Sequence, residues 1–330
     1  MFPFASKITI FLVWLPLFYF QSEDYKTLQG KAQGSTYRIV YETKNGVDFS
    51  KSVDSLFNLV DQSMSLWVNT SLISKINANQ SYGLVDEHFM KVFQTSEAIS
   101  RKTKGFFDVS VGPLVKAWGF GKNKNRLVPN METLDSLKKL VNYKNIKIKE
   151  GKVEKKYPEI QLDFNAIAQG YTVDLISEFL VQNEVENFLV EVGGEVRAKG
   201  KNNKRETWKV GIENPNNENN LQAIVSLDNK SLATSGSYRK FFIKDGQKYS
   251  HAIDPHLGKP VAHNVLSMTV LANTCAEADG FATAFLVMGL EKAKYFAKKQ
   301  KIDFLAIYEQ NSQISTFATA GMKSVILENK

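Results

Sequence analysis

The chain has 330 residues, of which 43% are apolar, 12% aromatic and 23% charged, a composition that excludes wholesale disorder, collagen-like repeats and coiled coils. Its length bounds it to one large or two intimate α/β domains. The net charge of +8 suits an anionic partner, but the lysines are scattered, and no basic stripe interleaved with aromatics points to nucleic acid. The single cysteine, Cys275, excludes an intramolecular disulfide and any multi-cysteine zinc or iron–sulfur site.

In chain order, Lys7 precedes an apolar run over residues 8–20, broken by Thr9 and Pro16 and followed by polar Gln21-Ser22-Glu23-Asp24. The run is short for a bilayer span and fits a secretory leader. Residues 1–22 are therefore expected to be a signal peptide or an N-terminal membrane anchor, and 23–330 the functional domain. The bulky Phe18-Tyr19-Phe20 is a poor cleavage site, and no nearby cysteine offers a lipid attachment point. A buried first helix is the alternative.

Alternation over 36–41 predicts a strand. Ser50 opens a helix with Val53, Leu56, Phe57, Val60 and Met64 on one face, and Asp86 caps another that ends near Gly105. Leu134, Leu137 and Val141 mark a further helix. Ile146 and Ile148 before Glu150-Gly151 predict a hairpin. Residues 188–192 read as a buried strand, 214–220 as a surface loop, and 208–212, 265–270 and 304–308 as strands. Residues 276–288 and 290–299 are helical by pattern. The irregular alternation gives a mixed α/β (α+β) fold with no clean linker.

Three segments hold chemistry-bearing residues. At 162–171, a strand is expected to end at Asp163 and a helix to begin near Tyr171, with small residues between. Such a junction serves either packing or a phosphate at a helix N-terminus. At 274–284, Asp279 and Thr283 stand four apart, hence on one helical face, among small apolar neighbours. Two hard oxygens suit Mg2+; a capping or intrahelical hydrogen bond is the alternative. At 250–260, Pro255 and Gly258 mark a tight turn beside His251 and His256, where a histidine serves either the turn or proton transfer. Zinc ligation by His251, His256 and His263 with Cys275 matches no standard spacing. Dinucleotide-binding, Walker A and serine-hydrolase signatures are absent.

Taken in order, the motifs resemble the ApbE family of flavin transferases over residues 29–319. They are Ala32-Gln33-Gly34-Ser35-Thr36-Tyr37, Phe107-Asp108-Val109-Ser110 with Trp118-Gly119-Phe120-Gly121, the 163–174 stretch, Val190-Glu191-Val192-Gly193-Gly194-Glu195, Ala233-Thr234-Ser235-Gly236, His251-Ala252-Ile253-Asp254-Pro255, and Ala278-Asp279-Gly280-Phe281-Ala282-Thr283-Ala284.

The resemblance implies a compact, T-fold-like α/β unit that binds FAD and Mg2+. It would transfer FMN from FAD to a threonine of an acceptor protein and release AMP. By that likeness, Mg2+ is held by the main-chain carbonyl of Ala166 with Asp279 and Thr283. FAD is contacted by Gln33, Trp67, Phe106, Phe107, Asp108, Asp163, Gln169 and Ile253, and His251 is the base. Three positions depart from the family pattern: Gln33 stands where Met is usual, Trp67 where Tyr is common, and Gln169 where many members carry Lys. The implied acceptor bears a D-x-[S/T]-G-[A/S]-T-like motif, as in a subunit of a sodium-pumping or electron-transport complex. The implied location is exported, either periplasmic or on the inner membrane facing the periplasm. The same residues would also serve an FAD pyrophosphatase with water as acceptor, and a non-catalytic exported flavin-binding protein is the reading from another class.

Overall fold

The computed structural model describes residues 24–43, 45–122, 128–238 and 240–327. The expected leader at 1–22 lies outside them. The strands are β1 (Asp24–Ala32), β2 (Ser35–Thr43), β3 (Ile146–Lys149), β4 (Lys152–Lys155), β5 (Phe188–Val192), β6 (Glu195–Lys199), β7 (Trp208–Asn214), β8 (Asn217–Leu227), β9 (Lys230–Gly236), β10 (Phe241–Lys244), β11 (Gln247–Ser250), β12 (Ile253–Asp254), β13 (Lys259–Pro260), β14 (Val265–Ala272), β15 (Asp303–Gln310), β16 (Gln313–Ala318) and β17 (Ile326–Leu327). The helices are α1 (Ser50–Met64), α2 (Leu72–Asn77), α3 (Glu87–Thr103), α4 (Gly112–Ala117), α5 (Met131–Lys138), α6 (Ala168–Gln182), α7 (Cys275–Met288), α8 (Leu290–Gln300) and α9 (Ala320–Lys323).

The frame is an eight-stranded sheet in the order β1-β2-β5-β6-β9-β14-β15-β16, every neighbouring pair antiparallel. Successive side chains of a strand point to opposite faces, so a strand buried on both reads as a continuous apolar run. In β15, Phe304 and Ala306 face the core that contains α7, while Leu305 and Ile307 face the small sheet β17-β8-β7. Near the other end, Ile39 and Tyr41 of β2 meet Val173, Ile176 and Leu180 of α6, and Val40 turns to the opposite side. The sheet is thus the middle layer between helices and a second, smaller sheet.

The central helix is α7. It is apolar nearly all round, which marks a buried helix rather than a surface one. Thr274 caps it by accepting from the Glu277 N–H, and Gly289 ends it at φ 74°. Small residues let it lie close to its neighbours. A Cβ on Gly280 would sit 2.5 Å from the Ile99 Cδ1 of α3, and one on Gly170 of α6 would run into the Cys275 carbonyl. Asp174 of α6 fixes the start of α7, accepting from the Cys275 and Ala276 N–H groups at 2.9 Å each, and its Oδ1 takes Arg197 Nη1 at 2.7 Å. This placement seats α7 against α6 and the sheet.

Most expected elements are present, and four differ. Residues 214–220 are not a loop: Asn214 and Asn217 pair across a two-residue Pro215-Asn216 turn, joining β7 to β8 as a hairpin. Proline in the turn is compatible with pairing on both sides. No strand ends at Asp163; residues 161–164 run extended outside any sheet, and α6 begins at Ala168, three residues before Tyr171. Val141 lies beyond the end of α5 at Lys138. The short α2 and α4 have too few residues to show a helical period.

Candidate functional site

The extended stretch before α6 is held by its backbone. Asn77, at the end of α2, accepts from the Leu162 N–H at 2.7 Å and donates to the Leu162 carbonyl at 2.8 Å. The Asp163 N–H donates to the Val109 carbonyl at 2.8 Å, and the Asp163 carboxylate accepts from the Asn165 N–H. Burial pushes the Asp163 carboxyl above its usual range. Ala166 follows in the turn over 165–167 that feeds α6.

This junction meets α7, as the spacing of its small residues allows. The Gly170 N–H donates to Asp279 Oδ2 at 3.2 Å, and a Cβ on Gly170 would lie 2.8 Å from Asp279 Cβ. Asp279 is 6% exposed, and its pKa is raised to about 7 by burial, with the Gly170 hydrogen bond opposing. One turn on, Thr283 Oγ1 shares a 2.9 Å hydrogen bond with Ser235 Oγ of β9. Gln33 joins from the other side. It sits at φ 51° in the β1–β2 turn, and its Nε2 donates to Thr172 Oγ1 of α6 at 2.9 Å.

A residue that sequence reasoning left in a turn motif belongs here. Glu195 opens β6 directly after Gly193-Gly194 and is 7% exposed, with Oε2 lacking any hydrogen-bond partner. Burial and the Asp279 charge push its carboxyl well above the usual range. A Cβ on Gly193 would lie 2.5 Å from Gln169 Nε2 and 3.1 Å from Glu195 Oε2, so Gln169 and Glu195 meet over that glycine. The signal in the sequence was a carboxylate at the mouth of a buried strand, directly after a glycine pair.

His251 follows the β10–β11 hairpin. Its Nδ1 lies 3.0 Å from the Lys240 carbonyl, which also accepts from the His251 main-chain N–H at 3.0 Å. A carbonyl only accepts, so Nδ1 carries the proton and Nε2 keeps its lone pair. Burial and the Lys240 charge lower the His251 pKa, leaving the ring neutral. The Lys240 charge also acts on Glu195, where it opposes the upward push of burial.

The remaining flavin-contact candidates lie at varied depth. Phe107 is buried and comes within 3.7 Å of where a Gly280 Cβ would stand, next to Asp279. Phe106 meets His256 edge-on at 4.7 Å between ring centres. The Asp108 carboxylate is engaged locally by Ser110 and by the Tyr143 N–H at 2.8 Å. Ile253 is buried with Leu114 and Trp118. Trp67 stands 62% exposed in the loop after α1. A cleft of about 740 Å3 opens beside Asp108 and His256, with Arg101, Lys104 and Lys144 on its walls.

The donor set is hard oxygen: two buried carboxylates, the Thr283 and Ser235 hydroxyls, and nearby main-chain carbonyls. Among the described residues, no three His, Cys, Asp or Glu side chains cluster as a metal centre. His256 and His263 each bond a main-chain carbonyl, and Cys275 is buried, which leaves the zinc alternative without a site. A carboxylate-poor, hydroxyl- and carbonyl-rich set with an unpartnered buried oxygen fits Mg2+, which keeps water and substrate phosphates among its ligands.

Comparison with known proteins bears on family and fold. The model of the ApbE family matches residues 33–307. An FAD:protein FMN transferase of Vibrio cholerae is 34% identical over 304 residues, covering 90% of this chain and 91% of that protein. Its counterpart in Escherichia coli K12 is 30% identical, covering 92% and 90%. The solved flavin transferase ApbE of Vibrio cholerae superposes with a TM-score of 0.84 at 33% identity, over 92% of this chain and 99% of that one. The apo flavinyl transferase ApbE of Pseudomonas stutzeri gives 0.84 at 29% identity, over 92% and 97%. With fold, motif order and nearly the whole length of these proteins in agreement, the chain belongs to the ApbE family.

Proposed function

We propose that this chain is a Mg2+-dependent FAD:protein FMN transferase that moves FMN from FAD to a threonine hydroxyl of an acceptor protein and releases AMP. The names of its relatives support the transferase activity. The observation that carries the reading is the hydrogen bond from the Gly170 N–H, at the end of the 163–170 junction, to buried Asp279, one helical turn before Thr283 on α7.

Asp279, Thr283 and the Ala166 carbonyl would hold the ion. When bound, Mg2+ offsets the negative charge that builds on the diphosphate during transfer. The N-terminal end of the α6 dipole would favour the same negative charge, and the Gln169 side chain adds a neutral donor. His251 Nε2 takes the proton of the acceptor hydroxyl as the threonine oxygen bonds to the FMN phosphorus. The bond from that phosphorus to the bridging oxygen breaks, and AMP leaves with it. The hydrogen bond from Nδ1–H to Lys240 keeps the ring oriented and stabilises the imidazolium that forms.

The leader-like residues 1–22 support export, with the enzyme acting on an exported or membrane-bound redox protein that carries a D-x-[S/T]-G-[A/S]-T-like segment. Mass spectrometry of a candidate acceptor domain after incubation with the protein, FAD and Mg2+ tests the reading. Covalent FMN on a threonine is the expected result. Free FMN with an unlabelled acceptor would assign the site to hydrolysis instead.

A further inference from the structure

Glu195 is outside the residues assigned above, yet its carboxylate is the least accounted-for group near the site. Alternation along β6 puts Glu195 on the same face as Arg197, which reaches Asp174 of α6, while Val196 and Ala198 pack against the small sheet. Glu195 therefore points into the helix layer. Its Oε2 has no hydrogen-bond partner although the residue is 7% exposed. A buried carboxylate left in that condition is costly unless a cation balances it.

Its surroundings run without a break to Asp279. Gln169 and Glu195 meet over Gly193, and Gly170, the next residue along, donates its N–H to Asp279. Two buried carboxylates thus flank the first turn of α6, with a neutral amide and glycine backbone between them. Among the described residues, neither makes an ion pair with Lys or Arg. The positive φ of Gly193, 68°, and its missing Cβ are what permit the approach.

We propose that Glu195 is a second carboxylate of the cation site, with Oε2 facing the divalent ion that Asp279 holds, and that neutral Gln169 leaves its charge for that ion to balance. This rests on the Mg2+ reading above and adds to it a ligand that the motif resemblance does not contain. The site then offers two carboxylates before substrate arrives, so it takes up a dication without FAD, in exchange for the protons those carboxyls hold.

The test is Mn2+ titration by calorimetry on the full, metal-stripped chain without FAD, with melting temperature recorded alongside. Wild type is compared with Glu195→Gln, Gln169→Lys and Asp279→Asn. The inference expects Glu195→Gln and Gln169→Lys each to weaken Mn2+ binding about tenfold or more. It also expects both to shrink the Mn2+-induced rise in melting temperature, without lowering the melting temperature of the metal-free protein. Affinities within about twofold of wild type in both, with binding lost in Asp279→Asn, would overturn the role of Glu195 and leave the cation reading intact. Wild-type binding in Asp279→Asn, or none in the wild type, would overturn both. If Glu195→Gln does not fold, Gln169→Lys decides, because it sets a cation beside Glu195 without touching that residue.

Discussion

Two side chains illustrate what the chain encodes at the residue scale. Asp279 and Thr283 were legible because helical geometry converts a spacing of four into a shared face, and polar groups on an apolar helix call for a ligand or a partner. Glu195 was not, since a carboxylate after a glycine pair reads as a turn until the sheet closes around it. For His251 the residue type was legible, but the tautomer depends on the Lys240 carbonyl, which no spacing announces. That bond yields a specific expectation. His251→Gln should keep FAD binding and lose about 10²–10⁴-fold in turnover, as when a general base is removed. Because burial lowers the His251 pKa, the ring stays neutral below the ordinary midpoint of about 6.5. The acid limb of the wild-type pH–rate profile should therefore fall below that value. By linkage, the same shift takes stability away as pH drops through 6.5 toward the folded-state pKa, since only the unfolded chain gains the proton there.

Among the elements, α7 links core and candidate site: its apolar residues fill the main core, and it carries Asp279 and Thr283, the proposed metal ligands. Its position is set by Asp174, whose two oxygens hold the first N–H groups of α7 and Arg197. Asp174→Ala would leave those groups and a partly buried guanidinium unpaired. We expect a loss of about 3 kcal/mol, read as a lower urea midpoint at constant slope. The helices α1, α3 and α7 were visible as apolar stripes or runs bounded by caps. The hairpin of β7 and β8 was not, because Asn and Pro around its turn carry the same composition as an open loop. Nor was the extended stretch at 161–164, whose conformation depends on Asn77, more than eighty residues earlier in the chain.

At the scale of the whole molecule, the sequence supported a mixed α/β fold, but not the order of strands. Antiparallel neighbours such as β6 and β9, or β2 and β5, are separated by long insertions, and pairing across such distances leaves no local mark. The resemblance to a known family gave the T-fold-like class but no strand order. The described fold starts at Asp24, where β1 begins pairing with β2. A chain beginning at residue 22 should therefore fold with the full-length melting temperature and retain in-vitro flavin transfer; a fall of several degrees would mean that the leader-like segment packs on the body.

The eight-stranded sheet is open, so among the described residues β1 and β16 each present one row of main-chain groups without a strand partner. On β1, Lys26 and Lys31 lie along that border, where a long ammonium-bearing stem resists being matched against another copy. Replacing both with threonine should convert the rim into a template for strand addition, and light scattering would register assembly that grows with protein concentration. These lysines thus help keep an open sheet from self-association.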